Sequence, residues 1–166
     1  MHTITNVLKK TLKPTQLPHL IQDIAICIPR ILGGYLMAFN FGASKFGMPW
    51  SPADKDLQLF EVIDWFITDV EGYGGLLALA PSFFAWMGAA SEAIGGLFLM
   101  AGLGTRFFSF LLFITMMVAI FCQQLPNGGL WNSLAPAGFA WIFLYGMTLG
   151  SGRIGLDHFI AKKYNF

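Results

Sequence analysis

The fold of this chain is decided by residues 82–124, which read SFFAWMGAASEAIGGLFLMAGLGTRFFSFLLFITMMVAIFCQQ. Two apolar stretches, 82–103 and 105–124, are separated only by Gly104. About 20 mostly apolar residues are enough for a helix to span a bilayer. The segment therefore predicts two transmembrane helices joined by a tight turn.

Two further apolar stretches, 22–43 and 134–150, flank this hairpin. Pro136 stands near the start of the last stretch, where the first turn of a helix tolerates proline. We therefore predict an all-α fold, an integral membrane four-helix bundle that forms a single domain over residues 1–166.

The composition agrees with a membrane protein. Hydrophobic residues make up 55% of the chain and charged residues only 11%, whereas a soluble domain carries about 25% charged residues. The 17 Phe and 5 Trp exclude a disordered chain. A net charge of +1 excludes a nucleic-acid binder that neutralises phosphates with a basic face. The predicted environment is the lipid bilayer.

The basic residues predict the orientation, because cytoplasmic loops carry an excess of Lys and Arg. With both termini in the cytoplasm, that side holds Lys9, Lys10, Lys13, Arg106, Arg153, Lys162 and Lys163. The opposite side then holds Lys45 and Lys55. We predict cytoplasmic termini, with the loops after the first and third spans outside.

The loop between the first two spans is long and acidic. Ser51 followed by Pro52 is typical of a helix start, and apolar residues then recur at helical spacing as far as Gly72. This pattern predicts an amphipathic interfacial helix on the outer surface. The acids of the loop are Asp54, Asp56, Glu61, Asp64, Asp69 and Glu71. They form either a solvated helix face or a docking surface for a partner protein.

Glu92 stands near the middle of the second span. An ionisable residue at this depth is costly and is a candidate for function. Gly88 and Gly96 flank it at four-residue spacing, which gives a face of small residues that lets another helix approach closely. Glu92 is therefore predicted to point into the bundle.

Arg30 occupies the corresponding place in the first span and is followed by Gly33-Gly34. A rise of about 1.5 Å per residue puts Arg30 and Glu92 at similar depths. We predict an Arg30–Glu92 ion pair, with Lys45 as the second candidate partner of Glu92. The pair either fixes helix register or lines a polar cavity that handles protons or a quinone-like ligand. The other candidates for that lining are Tyr35, Asn40, Thr115 and Tyr145.

The Cys and His residues argue against a metal or haem site. Cys27 and Cys122 are predicted at opposite sides of the membrane, so we expect them not to pair. The histidines, His2, His19 and His158, lie outside the apolar stretches. Without clustered His or Cys, neither a metal site nor a haem is expected.

Two glycine-rich turns lie at the cytoplasmic side, 102–106 (GLGTR) and 150–157 (GSGRIGLD). In the first, Thr105 is predicted to cap the third helix, and Arg106 to meet lipid headgroups or an acid. In the second, Arg153 and Asp157 are four residues apart and can pair if that segment is helical.

Taken in order, these segments resemble the DoxX family, the DoxX/DoxD-like small four-helix membrane proteins. The similar motifs are Arg30 with Gly33-Gly34, FGASKFG at 41–47, EAIGGL at 92–97, GLGTR at 102–106, ITMMVAI at 114–120 and GSGRIGLD at 150–157. The chain differs from the family pattern in Phe41, where His is frequent, and in Ser151, which replaces Pro.

The resemblance implies a bacterial-type inner-membrane protein connected with redox chemistry, since relatives include subunits of thiosulfate:quinone oxidoreductase. We therefore expect a membrane subunit or accessory of a redox system, with a quinone as its ligand and a protein partner in a redox complex. The residues themselves contain no nucleophile constellation or cofactor motif. The alternative is a non-enzymatic scaffold or small transporter that binds a partner through its acidic outer loop.

Overall fold

The computed structural model describes Thr15 and residues 17–164. In this part of the chain, the helices are α1 (Leu20–Gly42), α2 (Asp64–Gly72), α3 (Pro81–Ala101), α4 (Thr105–Asn132), α5 (Leu134–Leu149) and α6 (Leu156–Lys163). Three of them, α1, α3 and α4, are long and apolar enough to cross a membrane, and α5 is a shorter apolar helix. The prediction of an all-helical membrane bundle is confirmed.

The bundle has two ends that differ in chemistry. The terminal end contains the start of α1, the α3–α4 turn at 102–104 and the segment 150–155. The loop end contains residues 43–80 and the α4–α5 junction. Of the basic residues assigned to the cytoplasmic side, the described ones belong to the terminal end: Arg106, Arg153, Lys162 and Lys163. The other three, Lys9, Lys10 and Lys13, lie outside the described residues.

Helices α1 and α3 run antiparallel, with their backbones in direct contact. A Cβ atom on Gly34 would lie 2.6 Å from the carbonyl oxygen of Gly96, and one on Gly42 would lie 2.5 Å from the Cα of Ala93. Only residues without a bulky side chain permit this approach. The predicted faces of small residues around Arg30 and Glu92 are therefore confirmed as a helix–helix contact.

The core lies between α1, α3, α4 and α5. Its buried apolar side chains are Met37, Leu99, Leu112, Met116, Ala140 and Phe143. Large apolar side chains also cover the outside of the bundle, and Ile21 and Trp141 are examples of strongly exposed ones. Such a surface is far too apolar for water and fits contact with lipid.

The third helix is longer than predicted. We expected it to end at residue 124, but α4 continues to Asn132. Its π-helical turn, Ala119–Gln124, leads directly into a segment that has Pro126 in its first turn, where a missing N–H is tolerated. The helix is kinked at Gly129, which has φ 68° and ψ −160°.

The predicted helix from Ser51 is wrong, because α2 begins only at Asp64. The intervening chain contains only a short 3₁₀ turn, Ala53–Lys55, and then pairs with the segment after α1. Gly47 donates its N–H to the Glu61 carbonyl (2.8 Å), and Phe60 donates to the Gly47 carbonyl (2.7 Å). Phe60 adopts a left-handed conformation, φ 65°, that a continuous helix excludes. The helix does end at Gly72, as predicted.

Candidate functional site

A buried ion pair joins Lys45 to Glu92 near the loop end. The Lys45 Nζ lies 2.5 Å from the Glu92 Oε2, and the two side chains are only 13% and 5% exposed. The Lys45 ammonium also lies over the ring of Phe66, 4.7 Å from its centroid, as a cation–π contact. The pair is a nearly dry, neutral unit inside an apolar bundle.

The local fold brings Lys45 to this position. Helix α1 ends in a π-helical segment, Leu36–Gly42, and Phe46 donates its N–H back to the Gly42 carbonyl (2.9 Å). Phe46 is fully buried at the loop end, which fixes the chain on either side of Lys45. Because Gly42 packs against Ala93, the lysine that follows α1 reaches the neighbouring Glu92.

The expected Arg30–Glu92 pair is wrong, and Lys45, the second candidate, is the partner of Glu92. Side chains on an α-helix lean toward the N-terminus of their own helix. Because α1 and α3 are antiparallel, Arg30 leans toward the terminal end, whereas Glu92 leans toward the loop end. Similar depths of the two Cα atoms therefore do not bring their charges together.

Arg30 is instead held by backbone. It is 3% exposed, and its Nη2 donates to the Ile154 carbonyl at 2.5 Å and to the Cys27 Sγ at 3.4 Å. Its Nη1 lies against Gly102 and Gly155. Within the described part of the chain, neither Nε nor Nη1 has a hydrogen-bond partner. Among residues 17–164, no carboxylate lies within 4.0 Å of this guanidinium. Arg30 is thus a buried cation without a counter-ion there.

Asp157, in the first turn of α6, caps α4 across the terminal end. Its Oδ1 accepts the N–H of Gly104 (2.7 Å), and its Oδ2 accepts the N–H of Thr105 (2.9 Å). The Thr105 hydroxyl has no hydrogen-bond partner. The prediction that Thr105 caps this helix is therefore wrong, because a carboxylate distant in sequence satisfies the free N–H groups.

The predicted Arg153–Asp157 pair is also wrong, since α6 begins only at Leu156. The Arg153 Nε lies 3.2 Å from the Asp23 Oδ2, so the arginine ties the segment after α5 to the start of α1. Arg106 donates to the Thr15 hydroxyl at 3.2 Å rather than to an acid.

The remaining polar candidates do not form one cavity. Tyr35 is half-exposed and stacks on Phe39, with ring centroids 5.0 Å apart. Asn40 is exposed, and Thr115 shares a 2.8 Å hydrogen bond with the Ser91 hydroxyl. Tyr145 is half-exposed and lines a groove together with Arg30. The charged candidates form two separate groups, which are Lys45 with Glu92 (the loop-end centre) and Arg30 at the terminal end.

Tyr73, at the end of α2, is a member of the loop-end centre that sequence reasoning missed. Burial, together with the nearby Asp69, Cys122 and Glu92, raises the pKa of Tyr73 to about 12. Its phenol therefore stays protonated at physiological pH. No motif marks this tyrosine, because the packing of α2 against α3 is what brings it near Glu92.

An apolar groove lies between α1 and α5 toward the terminal end, with a volume of about 310 Å³. Its walls include Ala25, Pro29, Trp141, Ile142 and Tyr145, and Arg30 is the charged residue that lines it among the described ones. Ligand pockets are typically apolar with a few polar groups and start at about 300 Å³. The groove therefore has the size and character of a small ligand site.

Three of the long helices contain a π-helical turn, a feature that is frequent at functional sites. Two of these turns, Leu36–Gly42 and Ser91–Gly95, pack against each other beside the Lys45–Glu92 pair. The third, Ala119–Gln124, contains Cys122, which lies near Tyr73. The loop-end centre thus contains π-helical turns as well as buried charged residues.

The chain matches no curated protein and no solved structure. Residues 25–124 match the sequence profile of the DoxX family, and this is more than half of the chain. The matched residues include Arg30, Lys45 and Glu92, whereas Arg153 and Asp157 lie beyond them. The chain therefore belongs to the DoxX family.

Proposed function

We propose that this DoxX-family protein is a membrane subunit or accessory of a redox system that meets a quinone in the bilayer. The observation that supports this most strongly is the buried Lys45–Glu92 pair. Ionisable residues inside a membrane bundle commonly serve as proton relays. Reduction of a quinone takes up protons together with electrons, so a membrane subunit that serves it needs groups able to deliver protons within the bilayer.

The test uses the full chain purified in mild detergent. The lipid extract is assayed for quinone, and cells carrying each variant are assayed for quinone-linked respiration. The double variant Lys45→Met with Glu92→Gln removes both charges and strands neither one. The matched control is Glu61→Gln, which removes an exposed acid of the loop.

We expect quinone in the wild-type extract and loss of respiration in the double variant, while its folding and the Glu61→Gln control stay normal. An extract without quinone, together with normal respiration in the double variant, would reject the proposal.

We also propose a bacterial-type inner membrane with both termini in the cytoplasm. The described basic residues of the terminal end support this, because such residues stay on the cytoplasmic side. The test replaces Asp56 or Lys163 by Cys in a variant that lacks Cys27 and Cys122, and applies a membrane-impermeant thiol reagent to intact cells. We expect labelling at position 56 and none at position 163 until the cells are opened. The reverse pattern would overturn the orientation.

A second candidate is a scaffold or small transporter that binds a partner through the loop end. The observation that favours it is the mixture of exposed acids, including Asp54 and Asp56, with exposed Leu59, Leu76 and Leu79. In this case a protein partner co-purifies with wild type and is lost from the Asp54→Asn with Asp56→Asn variant, while the extract contains no quinone. If that variant retained the partner, the scaffold or transporter function would be rejected.

A further inference from the structure

The groove between α1 and α5 ends at a charge that the bundle leaves unbalanced. Arg30 lines the groove, is 3% exposed, and has two nitrogens, Nε and Nη1, without a partner. A buried charge is normally paired, because its desolvation is otherwise uncompensated. Within residues 17–164 this guanidinium has a carbonyl and a thiol as partners and no carboxylate.

We infer that the groove binds an anionic phospholipid, whose phosphate pairs with Arg30 while one acyl chain follows the apolar wall. An arginine fork matches a phosphate with two parallel, charge-assisted hydrogen bonds. A neutral ligand such as a quinone would accept a hydrogen bond here but would leave the positive charge unbalanced. The positive charge of Arg30 therefore favours an anionic headgroup, and the apolar wall formed by Pro29, Trp141 and Ile142 accommodates the acyl chain.

The guanidinium lies level with the α3–α4 turn at the terminal end of the bundle. It packs against Gly102, in the α3–α4 turn, and against Gly155, in the segment after α5. Both belong to the terminal end of the bundle, which also carries Arg106 and Arg153. Clustered basic residues at a membrane surface attract anionic lipids. Nε and Nη1 are buried, and Nη1 packs against these glycines, so phosphate binding requires the arginine side chain to turn toward the groove.

The test measures lipid retained by the full-length protein in detergent, using native mass spectrometry after addition of phosphatidylglycerol or phosphatidylcholine. We expect one phosphatidylglycerol per chain, bound about tenfold more tightly than phosphatidylcholine, because the choline ammonium already balances the phosphate of phosphatidylcholine, whereas the phosphate of phosphatidylglycerol is free to balance Arg30. Arg30→Met should abolish this preference. Lys162→Met removes the same charge from an exposed position of α6 and should leave the preference unchanged.

A second variant keeps the test valid if Arg30→Met fails to fold. Ala25→Trp fills the groove from its exposed rim without altering any charge, and Ile28→Trp is its control on an exposed position outside the groove. We expect only Ala25→Trp to lose the bound phospholipid. Retention by Ala25→Trp would overturn the inference.

Two competitors identify the ligand class. Inorganic phosphate alone should not displace phosphatidylglycerol, and displacement by it would mean that the acyl chain is not recognised. A short-chain neutral quinone should not compete either, and competition by it would overturn the inference in favour of a quinone groove. The inference is independent of the proposed redox function, whose test depends on co-purified quinone and on Lys45 and Glu92.

Discussion

The two ends of this bundle differ in the partners that they provide for a buried cation. At the loop end, Lys45 faces a carboxylate, and the pair is neutral and nearly dry. At the terminal end, Arg30 faces the Ile154 carbonyl, and no carboxylate within residues 17–164 lies within 4.0 Å of it. The first arrangement pairs the cation directly with an acid, whereas the second leaves it without a direct counter-ion in that part of the chain.

The difference has a direct energetic consequence. Removal of one member of a close pair strands the other charge in a medium with little water, which is costly. Removal of an unpaired cation strands nothing, and it also removes the cost of burying that charge. Substitutions at the two ends should therefore differ strongly in their effect on the free energy of unfolding.

The largest effect is expected at the loop end. Lys45→Met or Glu92→Gln alone should each lower the free energy of unfolding by about 3–5 kcal/mol, as for other buried pairs that lose one partner. The double variant should lose much less than the sum, because no bare charge is left. Denaturant unfolding in detergent over the four proteins of this cycle measures the coupling. Strictly additive losses would mean that the two charges do not interact.

Substitution of Asp157 tests whether this carboxylate forms an ion pair with Arg30 at the terminal end. This carboxylate binds two N–H groups at the start of α4, so Asp157→Ala should cost about 1–2 kcal/mol, as for the loss of a helix cap. Asp157→Asn should cost less, because an amide oxygen still accepts one N–H. The exposed Asp54→Asn serves as control in the same unfolding assay. A loss for Asp157→Asn as large as that for Glu92→Gln would show that Asp157 neutralises Arg30.

Arg30→Met should be milder than either change at Lys45–Glu92. The lost charged hydrogen bond to Ile154 contributes about 1.5–3 kcal/mol, and relief of the buried, unpaired charge offsets part of it. The variant with both Arg30→Met and Glu92→Gln should show losses that add to within about 0.5 kcal/mol, since distant sites act independently. A coupling free energy between these two positions would mean that Arg30 and Glu92 interact directly, contrary to the structure.

The last effect concerns Tyr73 and appears only at high pH. Its pKa is raised from 10.0 to about 12 in the folded protein, so the unfolded chain releases the phenol proton first as the pH rises. Stability should be constant below about pH 10 and fall between about pH 10 and 12. Tyr73→Phe should remove this part of the pH dependence in otherwise identical unfolding curves. An unchanged slope in that variant would place the phenol outside the loop-end centre.

The sequence alone determined the features that depend on residue type and spacing along one helix. The apolar runs on either side of Gly104 specified a membrane hairpin, because the bilayer demands an apolar stretch of fixed length. Glycines near Arg30 and Glu92 specified close helix contact, since their size is a local property. The interior position of Glu92 followed from its place on that face.

Only the tertiary structure decided which charged groups meet. The partner of Glu92 depended on the opposite lean of side chains on antiparallel helices, which similar depth along the membrane does not reveal. The cap of α4 came from Asp157, more than 50 residues away in sequence. The late start of α2 arose because the chain around Phe60 pairs with Gly47, in the segment after α1. In each case the deciding contact joins segments that are distant in the chain, and helical spacing carries no information about such contacts.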